Sequence, residues 1–201
     1  MNIPVFDIGD TLLPSRRMIN RKVHEHTGTE KHFPIEEYNI YVPEEVQNWL
    51  DENGLEGNAE EITRSYLDWE RSFFRGNSVV ETLKKCNQEL GTIGFISDNS
   101  IAAKKFYREL FQELGVEYRG FVVSEEVGVK KPSREIFEAF LDKRERPAEK
   151  FAYFGNNPER DSGAEKVGMD FVWVDRYDDF GSEWSGKTIQ EFSFEKIQEA
   201  V

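Results

Sequence analysis

Cysteine is nearly absent from this chain: Cys86 is the only one, so no intrachain disulfide can form. That usage fits a reducing compartment, and a cytoplasmic protein is expected. Long apolar runs are missing too, and none reaches the roughly 18 residues needed to span a bilayer. The amino-terminal MNIPVFDIGDTLL has no basic n-region and enters a strand at once, so it does not read as a signal peptide. Positive charge is scarce: 26 Lys and Arg stand against 39 Asp and Glu, for a net charge of −13. Such a field repels a phosphate backbone, which argues against nucleic-acid binding through a broad basic surface. Histidine occurs only at His24, His26 and His32. Without a clear helical pair and a fourth ligand, these three do not make a zinc centre. What remains is a globular profile of 201 residues, 38% hydrophobic, 13% aromatic and 32% charged. It is long enough to bury a core without disulfides or a structural metal.

Five short runs are nearly continuous in apolar character: Ile3–Phe6, Thr92–Ile96, Phe121–Val123, Phe151–Phe154 and Phe171–Val174. That pattern marks strands buried on both faces of a parallel sheet. Helical patterns at Val79–Leu90, Ile101–Leu114, Arg134–Leu141 and Asp161–Val167 separate the later strands, and another covers Phe194–Ala200. The alternation predicts right-handed βαβ units in an α/β, doubly wound, Rossmann-like sheet. The first connection is far longer than one crossover needs. It carries helical patterns at Arg16–His26, Pro43–Asn53 and Ala59–Phe74, broken by Pro34, Pro43, Gly54 and Gly57. The expected organisation is a core of residues 1–14 with 77–201, and a helical subdomain of residues 15–76 inserted after the first strand.

In an open α/β sheet, ligands bind beyond the carboxyl ends of the strands. Asp7, Gly9, Asp10 and Thr11 follow the first strand; Ser97, Asp98 and Asn99 follow the second. Ser124 and Lys131 follow the third, and Asn156, Asn157 and Asp161 the fourth. Carboxylates suit a hard cation, while hydroxyls, amides and one ammonium suit a phosphate.

Those segments resemble, in order, the four motifs of the haloacid dehalogenase (HAD) superfamily. FDIGDTLL looks like the first motif, usually DxDxT, with Asp7 as nucleophile. FISDNS resembles the second and supplies Ser97. GVKKPSREIF is close to GxxKPxxxIF and supplies Lys131. FGNNPERDSGAEKVGM resembles GDxxxxDxxGAxxAGM, with Asp161 as its second acid, one residue short between Asp161 and Gly163. The insertion sits where this family carries a type 1 helical cap.

The resemblance implies a hydrolase in which Asp7 attacks phosphorus to form an aspartyl phosphate that water then cleaves. It implies Mg²⁺ held by Asp7, the backbone carbonyl of Gly9, Asn156 and Asp161. Phosphate would be bound by Gly9, Asp10, Ser97, Asp98 and Lys131, with Ser97 and Lys131 also catalytic. The expected partner is a small phosphorylated metabolite, with no nucleic acid or membrane; oligomeric state is not legible. Two departures stand out. Gly9 occupies the general acid/base position and cannot protonate a leaving group, while Asp10 is shifted by one residue. Asn156 replaces the first acid of the fourth motif. The departures keep two alternatives open: carbon–halogen hydrolysis, which also lacks the acid/base Asp and needs no metal, and a catalytically impaired binding or regulatory protein.

Blander roles compete at several positions. Asn99 or Ser100 suits a helix N-cap, and Asp161 suits one as well. Tyr66, Trp69, Phe73 and Phe74 lie at helical spacing and read as the inserted subdomain's own core, as do Trp49 and Tyr41. Cys86 reads as a buried small hydrophobe.

Overall fold

The computed structural model describes residues 1–142, 144–177 and 181–201. The chain divides into two compact units, Met1–Leu13 with Asn77–Val201, and Pro14–Gly76. Among the described residues no helix is long and apolar enough to cross a membrane.

The larger unit is built on one parallel sheet. Its strands are β1 (Ile3–Phe6), β2 (Gly94–Ser97), β3 (Phe121–Val123), β4 (Phe151–Gly155), β5 (Asp170–Val174) and β6 (Thr188–Ile189), in the order β3-β2-β1-β4-β5-β6. Every pairing is parallel. The order reverses at β1, which places the end of that strand at the switch point where α/β sheets take their ligands. Alternate residues explain the apolar runs. Val5, Ile96 and Tyr153 join a core cluster on one face with Phe137 and Phe140. Phe6 points to the other face, with Phe154 and Phe192 rings at 5.3 and 5.4 Å.

The smaller unit holds α1 (Ser15–Thr27), α2 (Pro43–Glu52) and α3 (Ala59–Gly76). Helix α3 packs against both others, and Ile19, Val23, Phe33, Val46, Trp49, Ile62 and Tyr66 form its core. Trp49 and Tyr66 are buried there and Phe74 is buried as well, whereas Trp69 and Phe73 are only half-buried. Around the sheet lie α4 (Val79–Glu89), α5 (Ile101–Glu113), α6 (Ser124–Val127), α7 (Arg134–Leu141), α8 (Pro158–Asp161) and α9 (Phe194–Ala200).

Three expectations are corrected. The sheet has a sixth strand, β6, whose two residues are too short to carry a period. The second strand starts at Gly94 rather than Thr92, because the Ile93 amide is turned to the Asn87 side chain at 2.9 Å. The helix expected over Asp161–Val167 is instead α8 followed by a 3₁₀ turn, Ser162–Val167. Asn157, not Asp161, caps α8: its Oδ1 accepts from the Glu159 and Arg160 amides, and Pro158 occupies the first turn. At α5, Ser100 is the cap and accepts from the Ala103 amide at 3.0 Å.

Candidate active site

Asp7 follows the last residue of β1, and its amide donates to Phe154 O at 2.9 Å, which fixes it against β4. The turn beyond it closes when the Asp10 amide donates to Leu13 O at 2.8 Å. Asp10, with φ 55°, is the residue that takes the left-handed conformation here; Gly9 does not. Ser97, buried, is the final residue of β2 beside β1.

Lys131 reaches this strand end from the loop before α7 and is only 5% exposed, whereas Lys130 is exposed. Its Nζ lies 3.1 Å from Asp7 Oδ2 and 2.7 Å from Asp161 Oδ1. It also donates to the Tyr153 hydroxyl at 3.0 Å, which in turn donates to Ile96 O at 2.8 Å. Burial alone would lower the Lys131 pKa. Asp161 first and then Asp7 outweigh it, so the ammonium is held well above its ordinary value. Burial, with Asp7 next, raises Tyr153 well above its usual value and keeps the phenol neutral. Tyr153 was not among the residues expected at the site. The one sign of it in the sequence is a lone hydroxyl within the apolar run FAYFG.

The fourth-motif loop is shaped by close approaches. A Cβ on Gly155 would overlap the Asp161 carboxylate, so only glycine lets that side chain fold back. A Cβ on Gly163 would sit 2.7 Å from Pro132 O, so the Lys131 loop packs directly onto this turn. Asp161 Oδ2 accepts the Asn157 amide at 2.8 Å while Oδ1 takes Lys131. Burial, opposed by Lys131, raises the Asp161 pKa. Asp161 was expected in a metal shell. With 0% exposure and both oxygens engaged, it holds Lys131 and its own loop. Asn156 is buried, its carbonyl accepts Trp173 Nε1 at 2.9 Å, and its Oδ1 lies 3.5 Å from Thr11 Oγ1.

Asp98 was expected to bind phosphate. Its Oδ1 instead accepts the Lys131 amide at 2.9 Å, and its Oδ2 faces Arg160 Nη1 at 3.9 Å. Burial, opposed by Lys131, raises its pKa. A carboxylate in that place anchors the Lys131 loop and repels rather than holds an anion. The structure therefore brings Asp7, Lys131, Asp161 and Asp98 into one charge network, with Ser97 and Asn156 on the adjoining strand ends.

No group of three or more His, Cys, Asp or Glu side chains among the described residues is arranged to hold a metal. The donor set that fits a hard cation is smaller: one carboxylate, Asp7, with the neutral oxygens of Asn156 and Gly9. Mg²⁺ is commonly held by one or two carboxylates, its remaining positions filled by water and substrate phosphate, so the set suits it.

The parallel sheet thus carries a carboxylate–lysine–carboxylate cluster at its switch point. The family profile of haloacid dehalogenase-like hydrolases matches residues 2–168, and the chain belongs to that family. No curated protein matches it in sequence. Solved structures share the fold. The HAD-hydrolase YfnB from Bacillus subtilis, bound to magnesium, has a TM-score of 0.62 at 15% identity, covering 98% of this chain and 97% of its own. A HAD phosphatase from Thermococcus onnurineus has 0.60 at 17%, covering 99% and 97%. A 2-haloacid dehalogenase from Pseudomonas syringae has 0.61 at 18%, covering 99% of each.

Proposed function

We propose that the protein is a Mg²⁺-dependent phosphomonoester hydrolase acting on a small phosphorylated metabolite. The observation that carries this reading is the Lys131 ammonium, buried between Asp7 and Asp161 at 3.1 and 2.7 Å. It pairs with the Asp7 carboxylate as a nucleophile needs, and the N–H that faces Asp7 can turn to a phosphoryl oxygen once Asp7 is bonded to phosphorus. Three carboxylates, Asp7, Asp98 and Asp161, stand against two cations, Lys131 and Arg160. A phosphate dianion meets net negative charge there, which is the deficit a divalent cation removes. Mg²⁺ held by Asp7, the Gly9 carbonyl and Asn156 supplies that neutralisation when bound.

Asp7 Oδ attacks phosphorus, the bond to the alcohol oxygen breaks, and the alcohol takes its proton from water because Gly9 offers none. Water then attacks the phosphorus of the aspartyl phosphate, releasing phosphate and restoring Asp7. Ser97 and Lys131 hold the phosphoryl oxygens through both steps. Asp161 and Asp98 act through Lys131, one on its ammonium and the other on its backbone.

A second reading, carbon–halogen hydrolysis by the same Asp7, draws on the absence of a three-carboxylate metal group among the described residues. A panel of phosphomonoesters with and without Mg²⁺, run beside haloacids, separates the two. Metal-dependent phosphate release that disappears in Asp7→Asn supports the first. Metal-independent halide release supports the second, and silence toward both substrate classes defeats each.

A further inference from the structure

The Lys131 ammonium has three N–H groups to place. Two are hydrogen-bonded, to Asp161 Oδ1 at 2.7 Å and to the Tyr153 hydroxyl at 3.0 Å. What remains faces Asp7 Oδ2 as an ion pair at 3.1 Å. Lysine is a charge on a flexible stem, and a single hydrogen bond leaves the ammonium free to turn about that bond. A second fixed partner stops the turning, and Tyr153 is that partner.

Tyr153 is itself fixed. It is fully buried in β4, opposite Val5 of β1, and its ring meets Phe137 edge-on at 5.3 Å. Its hydroxyl donates to Ile96 O at 2.8 Å while accepting from Lys131, which a neutral phenol can do at once. In the sheet β1 stands between β2 and β4, so this bond reaches across the strand that leads into Asp7. Ile96 directly precedes Ser97, the other side chain given to the phosphoryl oxygens. One hydroxyl therefore joins the Lys131 ammonium to the backbone beside Ser97. Packing alone asks for no hydroxyl here, since Phe151 and Phe154 fill the same strand without one.

We propose that Tyr153 is a positioning residue for the reaction at Asp7: its hydroxyl sets Lys131 Nζ against the Ser97 end of β2, so that both meet one phosphoryl group. The proposal rests on the phosphomonoester hydrolase reading. With Asp161 and Tyr153 holding two N–H groups, the one facing Asp7 is left to turn to a phosphoryl oxygen. Without the hydroxyl, Lys131 keeps its charge and its Asp161 partner but loses its direction, and Ile96 O loses a donor. Charge still draws a phosphate in, whereas the transition state needs its donors accurately placed. The loss therefore falls on kcat rather than on KM.

The test is Tyr153→Phe in the full chain, which keeps the ring and its contact with Phe137. A proton–nitrogen NMR spectrum of the lysine ammonium groups identifies the Lys131 signal by its loss in Lys131→Met, and that signal should shift or broaden in Tyr153→Phe. On an aryl phosphate with Mg²⁺, kcat should fall about tenfold to a hundredfold while KM stays within about threefold. Phe140→Leu thins the same core cluster and should leave kcat within about twofold, which separates positioning from a general loss of packing. If Tyr153→Phe disturbs the amide spectrum as a whole, 3-fluorotyrosine in place of Tyr153 keeps ring and hydroxyl but accepts more weakly, and should move the Lys131 signal and kcat in the same directions. Turnover of a haloacid in place of the aryl ester defeats the phosphatase reading. Tyr153 is then judged by the same kcat and KM on the haloacid, because Lys131 faces Asp7 in either reaction. A Lys131 signal unmoved by the substitution, or an unchanged kcat beside a moved signal, overturns the proposal.

Discussion

Among the described residues each unit of the protein buries one carboxylate completely, and the two are satisfied in different ways. In the sheet unit, Asp161 takes an ammonium, Lys131, at 2.7 Å and a backbone amide at 2.8 Å. In the helical unit, Glu70 takes two phenols: Tyr66 one turn away on α3 at 2.8 Å, and Tyr41 at 2.9 Å. The two phenols and Glu70 together tie α3 to the segment before α2. An ammonium brings a charge that must itself be desolvated, and Lys131 is therefore surrounded by Asp7, Asp161 and the Tyr153 hydroxyl. The first arrangement holds helices together. The second holds the Asp7 carboxylate beside a cation at the end of β1.

The largest expected effect adds a carboxylate where the sheet unit lacks one. Gly9→Asp should raise turnover on alkyl phosphates by up to on the order of 10²–10⁴, with a smaller gain on aryl phosphates. The left-handed residue of that turn is Asp10, so the substitution meets no positive φ at position 9. Steady-state rates on matched alkyl and aryl substrates check it; equal gains on both would show that protonation is not what was missing.

Next comes removal of a partner from the ionic cluster. Asp161→Ala should cost about 3–5 kcal/mol in denaturant unfolding, because Lys131 stays buried with half its compensation gone. Wild-type stability in that variant would mean the ion pair is not the support described here.

Alkaline pH should also separate the units. The folded pKa values of Lys131 and Tyr153 are both raised, so the stability they contribute is full below their unfolded values. It is then lost as pH climbs from about 10 upward, at roughly 1.4 kcal/mol per pH unit for each group. Tyr66, raised by burial and then by Glu70, contributes in the same direction from the helical unit. Unfolding free energies across that range should flatten by two groups in a Lys131→Met, Tyr153→Phe double variant and by one in Tyr66→Phe.

The smallest effect belongs to the phenol-held carboxylate. Glu70→Gln keeps an acceptor oxygen for the tyrosines and should cost about 1–2 kcal/mol. A loss as large as that of Asp161→Ala would erase the contrast between the two buried acids.

Much of the site could be read from the chain because its parts are local. Strand ends put Asp7 and Ser97 where ligands bind, and Pro132 singled out Lys131 over Lys130. Position in a motif does not say which atoms meet a side chain's oxygens: Asp161, expected as a metal ligand, meets Lys131 and the Asn157 amide, and Asp98, expected as a phosphate ligand, meets the Lys131 amide. Tyr153 escaped notice because a strand pattern records burial and not the partner of a buried hydroxyl.

By itself the sequence determined what depends on near neighbours: the apolar runs that became parallel strands, the helical inserted segment, the order of the motifs and the missing acid at Gly9. Tertiary structure alone decided what depends on distant chain segments meeting. It turned Asp161 onto Lys131 through a space only Gly155 leaves open and anchored the Lys131 loop on Asp98. Hydrophobic periodicity is a property of consecutive residues, whereas charge pairing and close approach are set by three-dimensional distance, which residue spacing along the chain does not encode.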